Sequence, residues 1–268
     1  MAKRSRRTTY RTIDLRLKEG RGQGEGTSYK PWLTIQDVPS QGLTHRIKGW
    51  TTGRVHHLFS NLERDAFYIL DWSKQICDIR EQYPLLPLEE TKTIADELGV
   101  KHPTDPHTQH AIVMTSDFVV DVHVGAHSIQ QARTVKPANQ LDNPRVLEKL
   151  EIERRYWQTR EMDWGIVTEN EIPAIQSTNI RVLHGYRQLE GRLEGDINGN
   201  EVIQFLLDFQ TPSCIEELTT SCDENMCLPR GTALTVVYHL LTSGQMTCNL
   251  AEALSGKTLL SVWKGERS

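Results

Sequence analysis

The chain has 268 residues, 37% hydrophobic and 25% charged, with a formal net charge of −4. That length allows one large domain or two smaller ones at roughly 100–200 residues each, and the composition is that of an ordinary globular protein. No apolar run approaches the roughly 18 residues of a membrane span. The basic start, Met-Ala-Lys-Arg-Ser-Arg-Arg, lacks the apolar stretch of a signal peptide, so a cytoplasmic protein without membrane association is expected.

The five cysteines are odd in number and form no Cys-x-x-Cys pair, which points away from both a disulfide framework and a zinc site. The charge is unevenly spread. Residues 1–30 hold nine Lys and Arg against three Asp and Glu, an excess of +6 that leaves −10 for the remainder. A basic arm on an acidic body suits contact with phosphates, although a solvated tail has the same composition.

In chain order, residues 1–25 read as an extended or mobile basic arm. Its Gly-Arg-Gly-Gln-Gly-Glu-Gly string has no preceding apolar strand and so matches a nucleotide loop poorly. A helix is predicted from Ser60, where Leu62, Ala66, Phe67 and Leu70 recur at helical spacing and Ser60 with Glu63 forms a capping box. Ile76 to Tyr83 reads as a strand stopped by Pro84, and residues 89–110 as a helix or loop excursion. Ala111 to Val122 and Ile129 to Val135 read as an antiparallel hairpin, ended by Pro137.

Asn143-Pro144 then starts a helix from Arg145 to about Arg160, followed by a short strand from Met162 to Thr168. Residues 169–198 read as a connection. Beyond them, Glu201–Phe209, Ile215–Thr220 and Thr232–Leu241 suggest short helices, and Met246–Leu250 with Leu259–Trp263 a two-stranded wing.

Asp117 falls within the first strand of the hairpin and Lys136 at the end of the second. A carboxylate and a lysine side by side on a sheet suit phosphodiester hydrolysis. The acid ligates a hard divalent cation, and the lysine orients water or offsets developing charge. Glu63 on the preceding helix is placed to supply a second carboxylate. Spacing leaves other readings open: a helix-capping role for Glu63, a polar strand face for Asp117, and a solvated strand end for Lys136. His102, Asp105, His107 and His110 form a second cluster that could ligate a metal, although Pro103 and Pro106 suggest a surface loop. Trp157 and Trp164 read as core, and His56 and His57 as structural or DNA-proximal.

Seven stretches carry a resemblance: GRGQGE at 20–25, YKPWLTIQDV at 29–38, GRVHHLFSNL at 53–62, DIREQYPLLP at 78–87, TSDFV at 115–119, VKPA at 135–138 and LEKLEIERRYW at 147–157. In order and spacing they resemble the TnsA family, the endonuclease subunit of heteromeric cut-and-paste transposases. The resemblance runs from about residue 16 to 170 and is weaker beyond.

It implies an α/β restriction-endonuclease-like core, a mixed sheet flanked by helices, over 26–170, after the arm at 1–25. A smaller, mostly α winged-helix domain would follow over 171–268. It implies catalytic Glu63, Asp117 and Lys136, a supporting Glu153, and a metal site of Glu63, Asp117 and the Val135 carbonyl holding Mg2+, with Mn2+ as a substitute. The implied activity is hydrolysis of the 5′, non-transferred strands at transposon ends. The implied partners are transposon-end DNA, a DDE-type transposase TnsB and an ATP-dependent regulator TnsC. One departure stands out: related nucleases carry Asp, Glu or Gln two residues before the lysine, and this chain has Thr134. A stand-alone restriction or repair nuclease, or a degenerate nuclease fold kept as a scaffold, remain the competing readings.

Overall fold

The computed structural model describes residues 7–38, 43–209 and 212–263. These fall into two compact units divided between Ile172 and Pro173.

The first unit begins with a helix where an extended or mobile arm was expected. Helix α1 spans Tyr10–Lys18, and Thr9 caps it by accepting from the Thr12 N–H. Residues 1–6 of the expected arm lie outside the described residues. Helix α1 forms because its one buried side chain, Ile13, packs with Trp32 and Val113. The glycine string that follows is also structural. Gly22 has a φ of +79°, and a Cβ there would come 2.2 Å from Pro84, so only glycine lets this loop lie against the body. Arg21 donates to Asp37 (2.6 Å) and Arg16 lies 3.8 Å from the same carboxylate, so part of the N-terminal charge is neutralised internally.

Strands β1 (His45–Lys48) and β2 (Val55–Leu58) form an antiparallel hairpin that was not foreseen. Asp71 holds its turn by accepting from the N–H groups of Trp50 (2.8 Å) and Thr51 (2.9 Å). Asp71 lies on α2 (Asn61–Trp72), the helix predicted from Ser60, whose Ala66 and Phe67 are buried.

The main sheet follows. β3 (Ile76–Pro84), β4 (Thr115–Val124), β5 (His127–Val135) and β6 (Asp163–Val167) lie in the order β3-β4-β5-β6. The first two pairings are antiparallel and β5–β6 is parallel, so the sheet is mixed, as expected. β4 starts four residues later than predicted and runs to Val124. It joins β5 through Gly125-Ala126, with Gly125 at a φ of +62°. Parallel pairing of β5 and β6 needs a crossover, and α4 (Pro144–Gln158) provides it. Asn143 caps α4 by accepting from the Arg145 N–H (2.9 Å), with Pro144 in the first turn. Helix α3 (Leu88–Glu97) occupies the start of the 89–110 excursion. Ile94 and Ala95 of α3 and Ile152, Tyr156 and Trp157 of α4 pack with Val119 and Ala132 of the sheet. Trp157 is thus core, as read.

The second unit opens with α5 (Ala174–Leu183), which lies inside the stretch read as a connection. Then come α6 (Gly199–Leu207), β7 (Ser213–Cys214), α7 (Ile215–Asn225), α8 (Thr232–Ser243), β8 (Met246–Thr247) and β9 (Leu259–Val262). Strand β9 lies between β7 and β8, which adds a strand to the expected two-stranded wing. Val236, Val237 and Leu240 of α8 are fully buried, and Leu206 of α6 and Leu218 and Cys222 of α7 are buried with them. Among the described residues, no helix is long and apolar enough to cross a membrane.

Candidate active site

The first unit brings Glu63, Asp117 and Lys136 together. Lys136 follows the last residue of β5, and its N–H donates to Val167 (3.0 Å), which extends the parallel pairing by one step. Its Nζ donates to Asp117 Oδ2 (3.0 Å) and to the Val135 carbonyl (2.8 Å). Asp117 Oδ2 also accepts from the Val135 N–H (2.7 Å), so this carboxylate is fixed to both the backbone and the lysine of the neighbouring strand.

Glu63 lies at the third position of α2. Ser60 accepts from the Glu63 N–H (3.0 Å), as a capping residue should. The Glu63 carboxylate accepts from the Phe59 N–H (2.9 Å) and the Ser60 hydroxyl (3.1 Å), not from the Ser60 N–H of a regular capping box. The two readings of Glu63 are therefore compatible: it braces the helix start and faces Asp117.

A residue that the sequence reading missed connects the two acids. The Gln82 side-chain nitrogen lies 3.5 Å from Glu63 Oε2 and 3.5 Å from Asp117 Oδ1. Its oxygen accepts from the Thr115 hydroxyl (3.2 Å). Gln82 is buried and has a φ of +49°, an uncommon conformation for a residue with a side chain. The Trp32 N–H donates to its carbonyl (3.2 Å) and helps hold the backbone there. Left-handed backbone in the middle of a strand is invisible to residue-type patterns, so although Gln82 falls within the stretch at 78–87 that carries the resemblance, no chemistry was read into it.

The electrostatics follow from burial and crowding. Burial and the charge of Asp117 push the Glu63 pKa up to about 7. Burial works against the Lys136 ammonium, but Asp117, with help from Glu153 and Glu63, holds its pKa above the ordinary value. Glu153 projects from α4 and is fully buried, which raises its pKa. It accepts from the hydroxyls of Ser116 (2.5 Å) and Thr134, and Trp157 Nε1 donates to the same Ser116 oxygen (2.7 Å). Thr134 therefore spends its hydroxyl on Glu153. The departure at this position goes with a third acid, Glu153, close enough to Asp117 for their charges to interact.

Two carboxylates, a main-chain carbonyl and one lysine form a set with excess negative charge. Mg2+ characteristically uses one or two carboxylates and fills its remaining positions with water and phosphate oxygens, so this donor set fits a hard divalent cation. Among the described residues, no three His, Cys, Asp or Glu side chains gather as a metal cluster. That also corrects the second candidate. His102 is engaged by Thr91 (3.0 Å) and the Pro103 carbonyl (3.0 Å), while His110 stacks edge-on against Tyr10. Asp105 accepts from the N–H groups of Thr8 (2.7 Å), His107 (2.9 Å) and Thr108 (3.0 Å), tying this loop to the start of α1. His56 is structural as well, buried between Thr52 (2.7 Å) and Glu81 (2.8 Å). Arg54 donates through both terminal guanidinium nitrogens to the same Glu81. Arg54 and His56 outweigh the effect of burial and lower the Glu81 pKa to about 2.

Comparison with known proteins identifies the family. Residues 73–169 match the model of the TnsA-like endonuclease N terminal domain, a span that includes Asp117, Lys136 and Glu153 and begins after Glu63. Residues 171–250 match that of the TnsA endonuclease C terminal domain. Over 190 residues the chain is 47% identical to the transposon Tn7 transposition protein TnsA of Escherichia coli, an alignment covering 71% of this chain and 68% of that relative. The chain belongs to the TnsA endonuclease family.

Proposed function

We propose that this endonuclease hydrolyses the 5′, non-transferred strands at transposon ends in a Mg2+-dependent reaction at Glu63, Asp117 and Lys136. The observation that carries the reading is the convergence of two carboxylates from separate elements with a lysine hydrogen-bonded to one of them. Glu63, Asp117 and the Val135 carbonyl would hold the cation. When bound, Mg2+ polarises a phosphate and lowers the pKa of a coordinated water. Asp117 keeps Lys136 charged and aimed at the site, where the ammonium orients the attacking water and offsets charge growing on the phosphate. Glu153, held by Ser116 and Thr134, fixes the strand end from behind.

The relative's role in Tn7 transposition supports placing this chain beside a DDE-type transposase such as TnsB, which would cut and join the 3′ ends, and an ATP-dependent regulator such as TnsC. From α6 onward, the order helix, strand, helix, helix and β-hairpin in the second unit supports a winged-helix reading. Helix α8, in the place of a recognition helix, has no Lys or Arg, and that favours a protein partner over DNA for this unit. The test maps cuts on strand-labelled transposon-end DNA with Mg2+. Cuts confined to the 5′ strands, and made only with the transposase present, are expected. Cutting of either strand by the chain alone would mark a stand-alone nuclease. No cutting in the full mixture would mark a scaffold.

A further inference from the structure

Resting on that metal-dependent reading, we propose that Gln82 is a further ligand of the cation, an amide that turns over to present its oxygen to the cation held by Glu63 and Asp117. In the fold as it stands, its N–H2 group lies 3.5 Å from one oxygen of each acid and bridges two like charges that would otherwise repel. A donor group in that place opposes a cation, so it must withdraw or rotate when a cation enters.

The surroundings make rotation inexpensive. The Thr115 hydroxyl is the partner of the other end of the amide, at 3.2 Å, and a hydroxyl both donates and accepts. A half-turn of the amide therefore exchanges one hydrogen bond to Thr115 for another. It delivers a neutral oxygen, the donor type that hard cations prefer, to the point between the two carboxylates. The backbone supports the same role. Gln82 lies between the cross-strand pairs Glu81–Phe118 and Tyr83–Ser116, which places it opposite Asp117. Its φ of +49° would suit glycine better, yet this buried position carries an amide side chain.

The experiment is calorimetric titration of Mn2+ into the full chain, with thermal melting in EDTA alongside. Gln82→Gly removes the amide at a position whose backbone favours glycine, so the variant folds. It should melt within a few degrees of wild type but bind Mn2+ at least roughly tenfold more weakly, since even groups that only orient metal ligands cost about tenfold to a hundredfold when removed. Gln82→Glu restores an oxygen of the same reach and should bind at least as tightly as wild type. A purely structural role would shift the melting temperature and leave affinity alone. Equal Mn2+ affinity in wild type and Gln82→Gly overturns the proposal, as does a Gln82→Glu variant no tighter than Gln82→Gly. A wild-type chain that binds no Mn2+ overturns the metal-dependent reading as well, which separates the two failures.

Discussion

In the metal-free protein, Glu63→Gln should be stabilising at alkaline pH. The Glu63 pKa rises from 4.5 to about 7 through burial and the charge of Asp117. Glu63 therefore favours the folded state fully below pH 4.5, where it is protonated whether the chain is folded or not. That advantage is lost as pH rises through about 7. The difference corresponds to about 3 kcal/mol of penalty on the ionised side chain in the fold. Glutamine has the shape of the neutral acid and keeps an acceptor for the Phe59 N–H or the Ser60 hydroxyl. Allowing for relaxation around the charged form, a gain of about 1–2 kcal/mol is expected at pH 8.5, or roughly 3–6 °C in melting temperature for a domain of this size. The assay is thermal melting of both proteins in EDTA at pH 5 and pH 8.5. The gain should be present at pH 8.5 and nearly absent at pH 5, and added Mg2+ should stabilise the wild type alone. A variant that melts at or below wild type at pH 8.5, or an equal gain at both pH values, would refute the reasoning.

Two further outcomes follow from neighbouring groups. Glu81→Gln breaks the buried cluster with Arg54 and His56 and should cost about 3 kcal/mol at neutral pH. Because the Glu81 pKa is lowered to about 2, the gap between the two proteins should close as pH falls from about 4.5 toward 2, measured by acid unfolding. Thr134→Val removes a donor from buried Glu153 and should cost about 1–3 kcal/mol in denaturant unfolding. It should leave Mn2+ affinity within a few-fold of wild type, because Asp117 keeps its contacts to Val135 and Lys136. A large loss of affinity would instead make Thr134 a ligand.

Much of the first unit was legible because periodicity and burial agree there. Helix α2 shows Ala66 and Phe67 at helical spacing behind a serine cap, and β5 ends at Val135, two residues before Pro137, as read. Motif context singled out the triad; spacing alone left Glu63 as a possible cap, and in the structure it braces the helix start and lies close to Asp117. The hairpin β1–β2 was missed because one of the two buried residues of β2, His56, is polar and its folding signal is a turn pinned by distant Asp71. Helix α5 was missed for a similar reason. Its buried stripe includes Ser177 and Asn179, and Asn179 is held by the backbone of Leu250, Glu252 and Leu254. Long-range partners make such polar residues interior, and local pattern does not encode them. Helix α1 was hidden by composition, because a basic stretch with one buried isoleucine reads as an arm until Trp32 and Val113 are known to cover it.

The most direct test of the central claim is strand-resolved cleavage of end-labelled transposon DNA by Asp117→Ala and Lys136→Ala, each combined with the partner transposase and Mg2+. Both variants should assemble with the transposase and leave its 3′ cuts intact, while 5′ strand cleavage falls by about a hundredfold to a thousandfold, in line with the loss of an essential electrostatic group. Undiminished 5′ cleavage by both variants would contradict the account and place the hydrolytic site elsewhere.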